Sequence, residues 1–151
     1  MLTEKRIVIT GAGSGIGRAT SILAAGYGAK VVCVDLNESV SSTVDEIKQN
    51  GGTATAVHAD VSDEAAVAEF INQCVAQHGG IDGIYANAGV SGGGKSLTEL
   101  TVEDWQRTLA VNTVGVFLAI KHSVPYFVSQ GQGAIVCTAP VAGLRANAGG
   151  A

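Results

Sequence analysis

Two kinds of hydrophobic pattern alternate along this chain, and that alternation limits its fold more than any other feature. Short apolar runs at 5–10, 30–35, 53–58, 81–86 and 133–138 are separated by segments whose apolar residues recur at helical spacing. Runs of this length between turn residues are typical of buried strands in a parallel sheet. Strands that alternate with helices predict a parallel sheet covered on both faces. With right-handed crossovers and one change of direction, the predicted strand order is 3-2-1-4-5.

The helical segments are predicted from their apolar faces and their end signals. We expect the first helix to bury the face formed by Ile16, Ala19, Ile22 and Leu23. Residues 101–104 have the sequence of a capping box, which predicts the start of a long fourth helix. Together these elements predict an α/β protein of the doubly wound, Rossmann type, with residues 1–151 forming one domain.

Composition and charge exclude several classes of function. With 46% hydrophobic and 15% charged residues, the chain is too apolar to be disordered. The net charge of −4, with no basic run longer than Lys5-Arg6, argues against nucleic acid and anionic membranes as partners. No apolar stretch reaches the ~18 residues that a membrane span needs, and no signal peptide precedes the first strand. We therefore expect a cytoplasmic protein.

The cysteines and histidines form no metal-binding pattern in the sequence. Cys33, Cys74 and Cys137 are far apart and each lies within an apolar run, so we expect three reduced thiols in the core. There is no CxxC pair and no cluster of cysteine with histidine. We therefore predict no metal site.

A glycine-rich turn joins the first strand to the first helix. Its sequence, TGAGSGIG at 10–17, places glycine where the backbone can turn sharply and approach an anion closely. The N-terminus of the following helix offers free N–H groups and the positive end of the helix dipole. We therefore predict that the pyrophosphate of a dinucleotide binds here. The candidate binding residues are Gly11, Ser14, Gly15, Ile16 and Gly17.

An acidic residue ends the second strand, eighteen residues after Gly17. The carboxylate of Asp35 can accept hydrogen bonds from the 2′- and 3′-hydroxyls of an adenosine ribose. The same charge would repel the 2′-phosphate of NADP, and neither Leu36 nor Asn37 supplies a positive charge to bind that phosphate. A hydrogen bond to a charged group contributes ~1.5–3 kcal/mol, a roughly ten- to hundredfold preference. The sequence thus predicts NAD(H) as the cofactor, with Leu36 beside Asp35 in its site.

Three further short motifs follow the glycine-rich turn. They are Asp60-Val61, Asn87-Ala88-Gly89 and Val111-Asn112. With the TGxxxGxG spacing of the turn, and in this order and at these separations, they resemble the short-chain dehydrogenase/reductase family over essentially the whole chain. The resemblance implies an oxidoreductase that transfers a hydride between a nicotinamide cofactor and an alcohol or carbonyl substrate. It also implies that all of these motif residues bind the cofactor except Asn112, which is implied to be catalytic.

The resemblance assigns individual roles that the residues alone leave open. In the family, the acid at Asp60 contacts the adenine ring, and the motif at 87–89 closes the fourth strand and lines the cofactor. The asparagine at Asn112 helps to hold a proton-relay water. From the residues alone, Asp60 could equally be a loop acid, Asn87 a link to the neighbouring strand, and Asn112 the cause of a helix kink.

The other catalytic residues of the family have no counterpart in this chain. The family uses a serine to hold the substrate oxygen, a tyrosine as acid/base and a lysine four residues later. The fifth strand aligns Pro140 with the serine, and proline has no hydroxyl. The tyrosine and the lysine would lie beyond Ala151. We therefore expect this chain to bind NAD(H) and to turn over substrate poorly or not at all.

The last two strands of the family, with their helices, would also lie beyond the chain. Their absence would leave the fifth strand as a sheet edge and expose helix faces that are otherwise covered. We therefore expect a C-terminally incomplete domain that is prone to aggregation. In the family, the long fourth helix and the next helix, which would lie beyond this chain, often form a subunit interface, so the resemblance implies a homo-oligomer for the complete protein.

Two other functions remain open at this point. Residues 89–96 read GVSGGGKS and fit GxxxxGK[ST], the phosphate-binding loop of NTPases, although no helical pattern follows directly. The chain could also be a non-catalytic NAD(H)-binding module in which Pro140 has replaced the serine. Binding of Mg-ATP that depends on Lys95 would support the first alternative. NADH binding without activity in a longer chain would support the second.

Overall fold

The computed structural model describes residues 1–91 and 93–140, and in this part of the chain five strands form one parallel sheet. The strands are β1 (Arg6–Thr10), β2 (Lys30–Asp35), β3 (Thr53–His58), β4 (Gly83–Ala86) and β5 (Ala134–Cys137). Their order is β3-β2-β1-β4-β5. In the middle of the sheet, Val8 pairs with Val32 on one side and with Ile84 on the other. The predicted fold class and strand order are therefore confirmed.

Helices connect successive strands. They are α1 (Gly15–Gly26), α2 (Ser39–Gln49), α3 (Glu64–His78), α4 (Val102–Leu109) and α5 (Gly115–Gln130). A π-helical turn, Ala110–Val114, joins α4 to α5, so the predicted long fourth helix exists but is not regular throughout. The predicted capping box is present, because Thr101 Oγ1 accepts from the Asp104 N–H at 3.2 Å and Asp104 Oδ2 accepts from the Thr101 N–H at 3.0 Å.

Two apolar cores lie on opposite faces of the sheet. On one face, strand residues such as Val8 and Val34 pack with Phe70 of α3 and Leu118 of α5. On the other face, strand residues such as Ile9 pack with the buried sides of α1 and α2. Successive side chains of a strand point to opposite faces, so a continuous apolar run supplies both cores. Each large side chain buried in this way contributes ~1.5–3 kcal/mol.

The face of α1 that packs on the sheet differs from the predicted one. Ile16 and Leu23 are 64% and 58% exposed, Ala19 is exposed and Ile22 is only partly buried. The buried residues are instead small ones, namely Gly17, Ser21, Ala24 and Ala25. Small side chains allow α1 to lie close to the sheet, and the Ser21 hydroxyl is satisfied by the Gly17 carbonyl at 2.8 Å. The prediction was wrong because it followed the largest apolar residues rather than the smallest ones.

The edge strand β5 has no cover in the part of the chain that the structure describes. All four of its residues are exposed, with Val136 at 56%. The expectation of three core thiols is therefore wrong for Cys137, which lies in this strand and is exposed. Cys33 and Cys74 are buried as expected, and burial raises the pKa of these thiols to about 11 and about 12.

None of the helices in the described ranges is both long enough and apolar enough to cross a membrane. Within the same ranges, no three side chains of the metal-binding types come together as a ligand group.

Candidate functional site

A cavity of about 550 Å³ opens at the carboxyl ends of the strands. It lies where the strand order reverses: β2 and β3 are added on one side of β1, and β4 and β5 are added on the other side. In open parallel sheets this is the position at which ligands bind. Of the thirteen predicted cofactor residues, twelve line the cavity: Gly11, Ser14, Gly15, Ile16, Asp35, Leu36, Asp60, Val61, Asn87, Ala88, Gly89 and Val111.

The glycine-rich turn presents an open helix terminus to the cavity. Ser14 is the N-cap of α1 in an extended conformation, and its side chain makes no capping hydrogen bond. The Arg18 N–H bonds the Ser14 carbonyl at 3.0 Å, so the N–H groups of the three preceding helical residues have no acceptor within the helix. Gly15 has φ +50°, and a Cβ placed on it would meet nothing within 4 Å. Within residues 1–91 and 93–140, the turn therefore combines donors that have no acceptor with open space, which suits a phosphate group.

Gly17 has a different role from the other glycines of the turn, and it does not line the cavity. A Cβ at Gly17 would overlap the Gly11 carbonyl oxygen and lie 2.7 Å from Asn87 Nδ2. The missing side chain therefore lets α1 approach the end of β1 and the start of the loop after β4. Gly17 therefore affects the cavity through the packing of α1, and it is not one of the residues that line the cavity.

The carboxylate of Asp35 is fixed beside this turn. It is 9% exposed, and its Oδ2 accepts a hydrogen bond from the Gly13 N–H at 2.8 Å. Its Oδ1 accepts from the Asn37 N–H at 2.9 Å and from Asn37 Nδ2 at 3.1 Å. These three donors hold the carboxylate in one orientation while it still faces the cavity, and each oxygen keeps further acceptor capacity. Leu36, next to it, is 53% exposed and adds an apolar surface to the wall.

The loop after β3 supplies the adjoining wall. Asp60 Oδ1 accepts from the Ser62 N–H at 2.8 Å and from the Ser62 hydroxyl at 2.7 Å, which is the geometry of a tight Asx turn. Val61 is buried, and it lies close to Gly115 at the start of α5. The carboxylate of Asp60 thus stabilises its own loop, and it also borders the cavity. Both interpretations of Asp60 are compatible with this geometry.

Asn87 joins the ends of three strands. Its Nδ2 donates to the Thr10 carbonyl at 3.1 Å, and its own N–H and that of Ala88 both donate to Thr10 Oγ1 at 3.0 Å. Its Oδ1 accepts from the Thr138 hydroxyl at 2.9 Å. The side chain therefore links β1, β4 and the end of β5 while it lines the cavity.

Asn112, the predicted catalytic residue, lies in the π-helical turn and is not part of the cavity wall. Its Oδ1 accepts from the Val90 N–H and its Nδ2 donates to the Val90 carbonyl, both at 2.8 Å. The amide thus pairs with the backbone of Val90 as a neighbouring strand would, and it ties the loop after β4 to the helix. π-Helical turns widen a helix locally and often occur at functional sites. Here the turn brings Ala110 and Val111 to the cavity.

The sequence did not indicate seven of the residues that line the cavity. They are Asn37, Ala59, Ser62, Val90, Arg107, Ala110 and Thr138. Most of them adjoin a predicted residue in the sequence, so extending each motif by one or two positions would have found them. Arg107 lies one helical turn before Val111, and helical periodicity is the signal that could have found it. Thr138 comes to the cavity only because β5 pairs with β4.

Pro140 is exposed just after β5 and has no hydroxyl to offer.

The loop that resembles an NTPase phosphate-binding loop is not followed by a helix in the way that such a loop requires. The helix α4 starts at Val102, six residues after Ser96, and Gly92 lies outside the described residues. Lys95 Nζ is paired with Asp104 Oδ2 at 2.6 Å, which anchors the loop to the capping box. A phosphate-binding lysine should instead face the nucleotide.

Comparison with known proteins places the chain in a family. The sequence model described as short chain dehydrogenase matches residues 5–151. The chain belongs to this family.

Three relatives within the short-chain dehydrogenases illustrate the similarity. Cyclohexanol dehydrogenase of Acinetobacter sp. (strain SE19) is 40% identical over 142 residues, which cover 93% of this chain and 57% of that protein. The 2,5-dichloro-2,5-cyclohexadiene-1,4-diol dehydrogenase of Sphingobium indicum is 36% identical over 144 residues, which cover 95% and 57%. The crystal structure of NAD⁺-bound xylitol dehydrogenase superposes with a TM-score of 0.91 at 30% identity, covering 96% of this chain and 56% of that one. This chain thus spans a little over half the length of the short-chain dehydrogenases it matches.

Proposed function

We propose that this chain binds NAD(H) in the cavity at the carboxyl ends of β1, β2 and β4. One observation carries the proposal: the fixed carboxylate of Asp35 stands beside the open N-terminus of α1, where a ribose and a pyrophosphate would lie next to each other. Gly15, with no space taken by a side chain, fits the close approach of a phosphate. The solved relative that contains NAD⁺ supports the choice of cofactor.

In this proposal, different site residues bind different parts of the cofactor. Donors from Ser14, Gly15, Ile16 and the turn behind them would hold the pyrophosphate, and Asp35 would hold the adenosine ribose. Leu36, Val61 and Val111 would enclose the adenine between apolar surfaces, while the Asn87 segment would support the nicotinamide half. We propose Asn112 as a positioning residue that holds this segment in place through Val90. When bound, the nicotinamide ring supplies hydride transfer.

The complete protein is, in our proposal, an oxidoreductase that acts on an alcohol or its carbonyl counterpart. The relatives named above are dehydrogenases of a cyclic alcohol, a cyclic diol and a sugar alcohol.

We also propose that residues 1–151 belong to one domain, and that the complete protein forms a homo-oligomer. We propose that residues 1–151 by themselves bind the cofactor without turnover, because Pro140 aligns with the serine of the family and the tyrosine and lysine of the family align after residue 151. Sustained NAD⁺ reduction by this chain with cyclohexanol or xylitol would contradict that part of the proposal.

Titration of the chain with NADH and with NADPH, followed by nicotinamide fluorescence, tests the proposed cofactor. We expect NADH to bind at least ~10-fold more tightly, because the charge on Asp35 favours ribose hydroxyls over a phosphate. The variant Asp35→Asn keeps the side-chain shape and removes the charge, and it should reduce the preference for NADH. Asp45→Asn, which removes an exposed acid on α2, is the matched control for net charge and should keep the preference. Equal or tighter binding of NADPH by the unaltered chain would refute the choice of NAD(H).

A second function, a non-catalytic NAD(H)-binding protein, is favoured by the same Pro140. The two proposals differ for a chain extended through the tyrosine and lysine of the family. If the protein is an enzyme, the extended chain should oxidise alcohols either as it is or once Pro140→Ser has been introduced. If it is a binding protein, both forms of the extended chain should be inactive.

A further inference from the structure

A chain of hydrogen-bonded side chains runs along the ends of β4 and β5, and the proposed function does not account for all of it. The Tyr85 hydroxyl lies 2.8 Å from Thr138 Oγ1, and Thr138 Oγ1 lies 2.9 Å from Asn87 Oδ1. Asn87 Nδ2 in turn donates to the Thr10 carbonyl at 3.1 Å. A series of hydrogen bonds therefore connects four residues from β1, β4 and the end of β5.

The direction of each hydrogen bond follows from the chemistry of the groups. Asn87 Nδ2 is the donor to a carbonyl, so Oδ1 faces Thr138 and can only accept. The single hydrogen of the Thr138 hydroxyl is therefore committed to Asn87. The Tyr85 hydroxyl must then donate to Thr138, which leaves one acceptor lone pair on Thr138 Oγ1 without a donor among the residues that the structure describes. Thr138 and Asn87 line the cavity, whereas Tyr85 contacts Thr138 and is not among the lining residues.

Strand order determines which part of a dinucleotide would meet Thr138. Asp35 ends β2, the glycine-rich turn follows β1, Asn87 follows β4 and Thr138 follows β5. Neighbouring strands lie about 4.8 Å apart, so Thr138 stands roughly 14 Å across the sheet from Asp35. With the adenosine ribose at Asp35 and the pyrophosphate at the start of α1, the nicotinamide half extends over β4 and β5.

We propose that Thr138 binds the nicotinamide half of the cofactor and that Tyr85 is its positioning residue. The free lone pair on Thr138 Oγ1 accepts a hydrogen bond from the amide or ribose hydroxyl of that half. The Tyr85 hydroxyl fixes the rotamer in which this lone pair faces the cavity. This inference rests on the proposed NAD(H) binding, and it adds two residues that the motifs of the sequence do not include.

The competing explanation is that the same hydrogen bonds only join β4 to β5. The two explanations differ in which ligands respond to a substitution. A purely structural link would weaken every ligand of the cavity equally, since a smaller folded fraction lowers all apparent affinities by one factor. A contact with the nicotinamide half would weaken NADH and leave AMP, which contains only the adenosine half, unchanged.

The test measures the dissociation constants of NADH and AMP for the unaltered chain and for Thr138→Val, Thr138→Ser and Tyr85→Phe. We expect Thr138→Val to raise the dissociation constant of NADH about fivefold, the effect of one neutral hydrogen bond, and Tyr85→Phe to raise it about threefold. Thr138→Ser keeps the hydroxyl and should bind NADH as the unaltered chain does. The double variant Tyr85→Phe/Thr138→Val should be no weaker than Thr138→Val, because Tyr85 acts only through Thr138.

A matched control removes a tyrosine hydroxyl far from the cavity. The Tyr126 hydroxyl on α5 donates to Asn72 Oδ1 at 2.7 Å, so Tyr126→Phe loses a similar bond and should leave both dissociation constants unchanged. Equal effects of Thr138→Val on NADH and AMP, or no effect on either, would overturn the inference while the proposed function stands. If the unaltered chain binds neither NADH nor AMP, the proposed function fails and the inference fails with it.

Discussion

At the scale of single residues, the glycines of the glycine-rich turn are needed for different physical reasons. Gly15 is required by its backbone, because φ +50° is a conformation that other residues adopt only at a cost. Gly17 is required by its surroundings, because a side chain would overlap the Gly11 carbonyl. The sequence motif shows both only as glycine, and the structure separates conformational freedom from close packing.

Alanine at these two positions should therefore have unequal effects on stability. Gly17→Ala should lower the free energy of unfolding by about 3 kcal/mol, because the turn and α1 must move apart. Gly15→Ala should cost only ~1–2 kcal/mol, the price of a left-handed backbone without any clash. Gly26→Ala in the last turn of α1, where the added methyl meets nothing, is the control and should be neutral or slightly stabilising. Urea unfolding followed by circular dichroism measures all three, and equal losses for Gly15→Ala and Gly17→Ala would contradict the assignment.

At the scale of elements, a partly buried ion pair joins the start of β1 to the residue just before β4. Arg6 Nε and Nη2 donate to the two oxygens of Asp82 at 2.6 and 3.0 Å, and the Arg6 N–H donates to Oδ2 at 2.9 Å. The side chains are only 21% and 11% exposed. The hydrogen bond from the Arg6 guanidinium holds the pKa of Asp82 at about 2, below its ordinary value of 3.8. The pair fixes the register of the two central strands at their amino ends.

This lowered pKa predicts a pH-dependent contribution to stability. A carboxyl group with a depressed pKa in the folded state stabilises the fold above its unfolded pKa, and the contribution is lost as pH falls from about 4 towards 2. Asp82→Asn should therefore reduce the free energy of unfolding by about 2 kcal/mol at pH 7, and by progressively less below pH 4. Asp45→Asn, an exposed acid on α2, should change it by less than ~0.5 kcal/mol. A difference between Asp82→Asn and the unaltered chain that is the same at pH 7 and pH 3 would contradict the assigned pKa.

Some features of the helices and strands could be predicted from the sequence, and others could not. The strand order was predictable, because alternating runs, right-handed crossovers and the glycine-rich turn allow few arrangements. The buried face of α1 was not, because a helix that packs through Gly17, Ser21 and Ala24 has a weak hydrophobic signal. The π-helical turn contains Asn112, whose amide bonds the backbone of Val90, a contact twenty-two residues away in the chain. Short-range patterns therefore predicted the elements and missed the features that depend on tertiary contacts.

At the scale of the whole molecule, the described part of the chain exposes several large apolar side chains on α4, α5 and β5. Trp105 and Leu109 on α4 are 55% and 49% exposed, Phe117 and Val128 on α5 are 57% and 74% exposed, and β5 is an open edge. Where such side chains form a contiguous patch, another polypeptide usually covers it. An unpaired edge strand adds backbone donors and acceptors that a second chain can pair with.

This surface predicts that residues 1–151 associate with themselves in solution. We expect the average mass measured by light scattering to rise with protein concentration, because association removes apolar side chains from water. Phe117→Glu/Val128→Glu should lower the average mass at a given concentration, since a charged side chain must be desolvated for the surfaces to meet. Ser42→Glu/Ala76→Glu adds the same charge at exposed sites on α2 and α3 and controls for net repulsion. If both double variants reduce association equally, net charge and not the α5 face controls it. If neither does, the α5 face does not carry the association.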